Sequence, residues 1–99
     1  MAVLEHALLQ VAPDRVEAYE AALASALPLI RGMPGFEGIE IRRNAEAPGN
    51  YLLLVRWSSI ADHRDGFRKS EHYKQWRALL HEFYDPFPDV RYFGEPFQS

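Results

Sequence analysis

Tyr51-Leu52-Leu53-Leu54-Val55-Arg56-Trp57 is the stretch whose reading decides the fold. Only Arg56 interrupts the apolar run, and the breaker pair Pro48-Gly49 stands just before it. A short apolar run bounded by turn residues predicts a central strand, of the kind buried on both faces. Upstream, Asn44 to Asn50 is turn chemistry, and residues 36–43 alternate Phe36, Gly38 and Glu40 against Glu37, Ile39 and Ile41. Residues 36–57 therefore predict one antiparallel hairpin with a long loop.

Working outward, Gly32-Met33-Pro34-Gly35 supplies the stop signals of a preceding helix. Val16, Tyr19, Leu23, Leu27 and Ile30 fall at helical spacing, and Pro13 sits where a first turn tolerates it. Residues 3–11 before it predict a strand. Downstream, Ser58 or Ser59 can cap a short helix carrying Ile60, His63 and Phe67 on one face. Gly66 and Ser70 suggest a break, after which Tyr73, Trp76, Leu80 and Phe83 give a second amphipathic helix over 71–83. Asp85-Pro86-Phe87-Pro88 ends it, and 90–93 predicts a last strand.

The order β-α-β-β-α-β is the ferredoxin-like arrangement of the α+β class: a four-stranded antiparallel sheet with helices on one face, as one domain over 1–99. Strands one and three look apolar on both faces, so a second sheet is expected to cover the open one. That predicts a homodimer with sheets face to face and the segment from Pro86 to Phe97 reaching onto the partner.

Composition narrows the function classes. Eleven basic against fourteen acidic residues give a net charge of −3, with no basic run, which argues against nucleic acid or an anionic membrane as partner. Cysteine is absent, removing disulfides and thiolate chemistry. No apolar run approaches the roughly 20 residues that span a bilayer. With no basic and apolar leader at the start, a cytoplasmic location is expected.

Four histidines, His6, His63, His72 and His81, show no metal-ligand spacing, so no metal is expected. His63-Arg64-Asp65 matches a kinase tripeptide by chance, since a chain of 99 residues lacks every other kinase part. Aromatic density in the second half is the informative feature. Trp57, Phe67, Tyr73 and Trp76 lie on elements this topology sets facing one another, and rings so placed can wall a pocket for a flat ligand. They can equally be plain core. His63, Tyr73 and His6 carry polar tips that a dry core must satisfy, which makes them the better pocket candidates.

The pattern Leu54-Val55-Arg56-Trp57-Ser58-Ser59, Ala61-Asp62-His63, Phe67-Arg68-Lys69-Ser70, Tyr73 and Trp76 resembles the antibiotic biosynthesis monooxygenase (ABM) domain. The first strand, the Val11-Ala12-Pro13-Asp14 entry to the helix and Pro34-Gly35-Phe36 agree with it. The resemblance implies a dimeric α+β barrel with one pocket per protomer. Its polyketide-oxygenase branch implies an Asn four residues before the strand-three Trp and a Tyr six after, where this chain has Leu53 and His63. Its haem-degrading branch implies an Asn, a Trp and an iron-ligating His, at positions held here by His6 or Ala7, by Phe67 and by Arg77. The expectation is cofactor-independent oxygenation of a flat phenolic or quinone-like molecule. His63 is its base, His6 the second catalytic candidate, and Trp57, Phe67, Tyr73 and Trp76 contact the substrate. A binding module without turnover and a haem-binding relative are the alternatives.

Overall fold

Alternation along the third strand, β3 (Asn50–Trp57), sets the layers of the computed structural model, which describes residues 2–98. Met1 and Ser99, the ends of the expected domain, lie outside the described residues. Tyr51, Leu53, Val55 and Trp57 are buried, while Leu52 and Leu54 are half-buried and Arg56 is exposed. One face of β3 thus meets the helices, and the other stays partly open within a single protomer. The first strand, β1 (Val3–Gln10), follows the same parity: Glu5, Ala7 and Leu9 point inward, and Leu4, His6, Leu8 and Gln10 point out.

The sheet order is β2-β3-β1-β4, with β2 (Phe36–Arg43) and β4 (Arg91–Phe93) at the edges. All three pairings are antiparallel. Glu5 stands opposite Val55 on one side and Tyr92 on the other, so these three side chains share the inner face. The hairpin over 36–57 forms with one register shift between Phe36 and Gly38. The shift puts Phe36 on the same face as Ile39 and Ile41, which corrects the alternation expected there. Val11 N–H donates to Gly49 O at 2.8 Å where the loop meets β1.

Helix α1 (Val16–Arg31) and helix α2 (Glu71–Leu80) pack together over the inner face. The expected first helix divides, with a 3₁₀ turn over Pro13–Arg15 ahead of α1. The expected 71–83 helix ends at Leu80 and tightens into a 3₁₀ turn over His81–Phe83. The core holds Trp57, Tyr19, Phe67, Ile30, Leu80 and Val55 fully buried. Side chains of this size contribute about 1.5–3 kcal/mol each on leaving water.

Between β3 and α2 the chain departs from the helix expected on Ile60, His63 and Phe67. Residues Asp62–Phe67 form a π-helical turn, closed by Arg68 N–H donating to His63 O at 2.9 Å. Ser58 and Ser59 hydroxyls donate to the Asp62 carboxylate, and Ser59 Oγ accepts the Asp62 N–H at 3.2 Å. Those bonds fix the entry to the turn. Its exit is fixed by Ser70, whose Oγ accepts from Tyr73 N–H at 3.1 Å and caps α2. The wide turn brings His63 and Phe67 inward together, both buried.

Candidate functional site

A cavity of about 420 Å³ lies between the inner sheet face, the π turn and α2. Its floor is Ala7, Leu53 and Val55, and its walls include Phe67, Tyr73 and Trp76. The ring centroids of Tyr73 and Trp76 lie 5.2 and 5.6 Å from that of Phe67, both near-perpendicular, so the wall is a packed aromatic cluster. Glu5, His63, Arg68 and His81 bring polar groups to it.

Glu5 and His63 are only 5% and 3% exposed, a buried acid and a buried base in an otherwise apolar interior. His63 Nε2 lies 3.4 Å from Glu5 Oε1, and His63 Nδ1 lies 2.6 Å from the Tyr92 hydroxyl. Trp57 Nε1–H donates to the same Glu5 oxygen at 2.9 Å. No buried polar side-chain atom among the described residues lacks a partner. Since both neighbours of Glu5 fall on Oε1, its second oxygen meets the cavity that Glu5 lines.

The electrostatics follow from burial. Loss of water raises the Glu5 carboxyl above its ordinary value, partly offset by the Trp57 bond and the charge of Arg68. Loss of water likewise lowers the His63 imidazole to about 4, with the Arg68 charge acting in the same direction, so His63 is neutral near pH 7. A neutral ring holding one proton satisfies both neighbours when Tyr92 O–H donates to Nδ1 and Nε2–H points at Glu5. The arrangement can take a proton from a ligand at Glu5, with His63 and Tyr92 as a bonded chain that holds the carboxylate in place.

The expected site residues divide. His63, Phe67, Tyr73 and Trp76 come together on the cavity. Trp57 does not reach it. The indole is fully buried behind His63 and Phe67, with ring centroids 5.4 and 5.9 Å from theirs, and it serves to hold Glu5. His6 lies on the opposite face of the sheet, edge-on to Phe93 at 5.5 Å, and shares no space with His63. One step along a strand changes the face, which corrects the expectation that both histidines serve one pocket. Glu5 and Tyr92 are absent from the residues the sequence singled out. Arg77, at the position implied for an iron ligand, is exposed on α2, while His81 lines the cavity one turn later. Among the described residues, no three His, Asp or Glu side chains converge as a metal would need.

A groove of about 540 Å³ between α1 and β2 is larger, but its one lining carboxylate is already engaged. Glu20 accepts from Arg43 at 2.7 and 2.9 Å and from Tyr51 at 2.8 Å. It lacks the buried, partly satisfied carboxylate that marks the inner cavity.

The family model for antibiotic biosynthesis monooxygenase (ABM) matches residues 2–79. The chain belongs to the ABM family. The Bacillus subtilis protein YczJ, itself uncharacterized, is 42% identical over 93 residues, covering 94% of this chain and 98% of that protein. Among solved structures, a Bordetella bronchiseptica protein named for the same family superposes with a TM-score of 0.89 at 32% identity, covering 97% of this chain and 98% of that one. SnoaB from Streptomyces nogalater, a cofactor-independent oxygenase solved as a point mutant, gives 0.75 at 17% identity over 99% and 95% of the two chains, a likeness of fold alone. The sheet with its helices on one face is the ABM fold expected from the sequence. No helix among the described residues of this ABM protein is long and apolar enough to cross a membrane.

Proposed function

We propose that this ABM protein is a cofactor-independent monooxygenase of a flat phenolic or quinol-like molecule, held in the inner cavity of a homodimer. The observation that carries the reading is the buried Glu5 carboxylate, raised by desolvation and opening onto an apolar, ring-lined space. A substrate of this class has an acidic C–H or O–H beside an extended π-system. Glu5 accepts that proton, and a carboxyl pushed upward is better matched to the task near neutral pH than an imidazole lowered to about 4. His63 then acts beside Glu5, orienting the carboxylate through Nε2–H while Tyr92 fixes the ring, rather than as the primary base expected from the sequence.

The resulting carbanion gives one electron to O₂, and recombination forms a C–O bond as a hydroperoxide. Loss of a second proton from the same carbon breaks the O–O bond. One oxygen stays as a carbonyl and the other leaves as water, so a CH₂ plus O₂ becomes C=O plus H₂O. The protein contributes a dry space, a base and a fixed ring geometry.

Oxygen uptake across a panel of anthrones and hydroquinones tests this. Glu5→Gln and His63→Ala are expected to lower uptake by about 10²–10⁴-fold, the range for a lost acid–base group, while tryptophan quenching by the ring ligand persists. Quenching without uptake by the unaltered protein would make the cavity a binding site and overturn the oxygenase reading.

A further inference from the structure

We propose that Arg68 is the recognition cation of the inner cavity, and that the ligand is a planar aromatic anion whose acidic group sits against this guanidinium. The inference rests on reading the cavity as a ring-binding site and names the class of ring it takes.

Arg68 follows the π turn directly, and its backbone N–H closes that turn on His63 O at 2.9 Å, so the residue is anchored where the turn meets the cavity. Its side chain lines the cavity while remaining exposed to solvent, a placement at the mouth. Its charge is felt at Glu5, His63 and His81, which line the cavity, and at Tyr92 behind His63. Among the described residues the guanidinium has no ion pair or hydrogen bond. The nearby acid that could quench it is engaged elsewhere, since Asp65 pairs with Lys69 at 3.5 Å. Arg15, Arg42, Arg43 and Lys74 are neutralised by Glu82, Glu40, Glu20 and Glu71, and of the cations left without a carboxylate Arg68 is the one that lines this cavity.

Two carboxylates also line the cavity, Glu5 and Asp89. Glu5 is deep and bound by Trp57, and Asp89 is exposed and lies beyond ion-pair reach of Arg68. The acidic group of a ligand is therefore repelled from the interior and drawn to the mouth. The apolar ring is driven the other way, onto Phe67, Tyr73 and Trp76. The cavity thus discriminates both end from end and charged from neutral ligands. A planar guanidinium offers paired donors that match a carboxylate, and serves an ionised ring hydroxyl as well.

Calorimetric titration of the intact protein with naphthoate and with naphthamide, rings of the same shape differing in charge, reads the inference directly. Naphthoate is expected to bind about tenfold tighter, the effect of one charge-assisted contact at a half-open site. Arg68→Gln should equalise the two ligands while leaving naphthamide affinity unchanged, and Arg68→Lys should keep part of the preference. Raised salt should weaken naphthoate alone. Equal affinities in the unaltered protein, or a preference that survives Arg68→Gln, overturns the assignment and leaves the ring cavity standing. Failure of both ligands to bind overturns the ring cavity and this inference with it. Oxygen uptake plays no part in the readout, so an absence of turnover leaves the result interpretable.

Discussion

Trp57 Nε1 and Glu5 Oε1 lie 2.9 Å apart, donor and acceptor separated by 52 positions in the chain. The bond ties β1 to the end of β3 and holds the carboxylate in its ionised form more readily than burial alone would allow. Trp57→Phe keeps an aromatic ring and removes the donor. It is expected to cost about 1–3 kcal/mol in chemical denaturation, the range for a buried acceptor left without its donor. It should also raise the Glu5 pKa further, so the rising limb of the pH–rate profile moves to higher pH. A limb that stays in place would show that Glu5 is not the group being titrated.

His63 makes a separate prediction. Its folded-state pKa of about 4 lies below the ordinary value of 6.5, so the unfolded chain takes up the proton first as pH falls. Its contribution to stability is therefore complete above about pH 6.5 and is lost toward pH 4, amounting to about 3 kcal/mol. Glu5, raised by burial, works in the opposite sense, and Glu20, lowered to about 2 by Arg43 and Tyr51, acts below this window. Comparison with His63→Gln isolates the histidine. The stability of the unaltered protein relative to that variant should shrink steadily as pH falls from 6.5 to 4, as followed by urea denaturation.

The open face of the sheet carries Leu8 at 63% and Phe93 at 49% exposure, with half-buried Leu52 and Leu54 beside them. In the proposed homodimer a second copy covers this face. Leu8→Glu places a charge at its centre and is expected to yield a folded monomer by light scattering with a circular dichroism spectrum like that of the unaltered protein. An unaltered protein that runs as a monomer at micromolar concentration would refute the arrangement.

Gly49 has a φ of 94°, and a Cβ there would drive into the Val11 carbonyl oxygen. Gly49→Ala is expected to cost at least the roughly 1–3 kcal/mol of a side chain held at positive φ, read as a lowered thermal midpoint. An unchanged midpoint would mean that the loop relaxes freely.

Much of the fold was legible because its signals are local. The Pro48-Gly49 breaker before the β3 run, Pro13 ahead of α1 and the Gly32 to Gly35 stop each act within a few residues, and each marks a boundary of the structure. The site was legible only in part. Phe67, Tyr73 and Trp76 announce themselves by ring density. Glu5 does not, although its parity with Ala7, Leu9 and Val11 places a carboxylate among inward positions. The same parity separates His6 from the cavity. What no local pattern carries is that Trp57 and His63, more than fifty residues from Glu5, meet its carboxylate, with Tyr92 of β4 bonding His63 behind it.

The π turn over Asp62–Phe67 makes chain length a control on chemistry. A π turn holds one residue more than the α-helical turn it replaces, and each residue of a helix rotates it by about 100°. Deleting a single residue such as Gly66 would let the segment close as ordinary helix and swing His63 away from Glu5 by about that angle, with every side chain of the cluster still encoded. Loss of one codon would thus part His63 from Glu5 while the sheet and both helices remain. Relatives that carry this histidine but not the extra residue are expected to hold the strand-one carboxylate by other means.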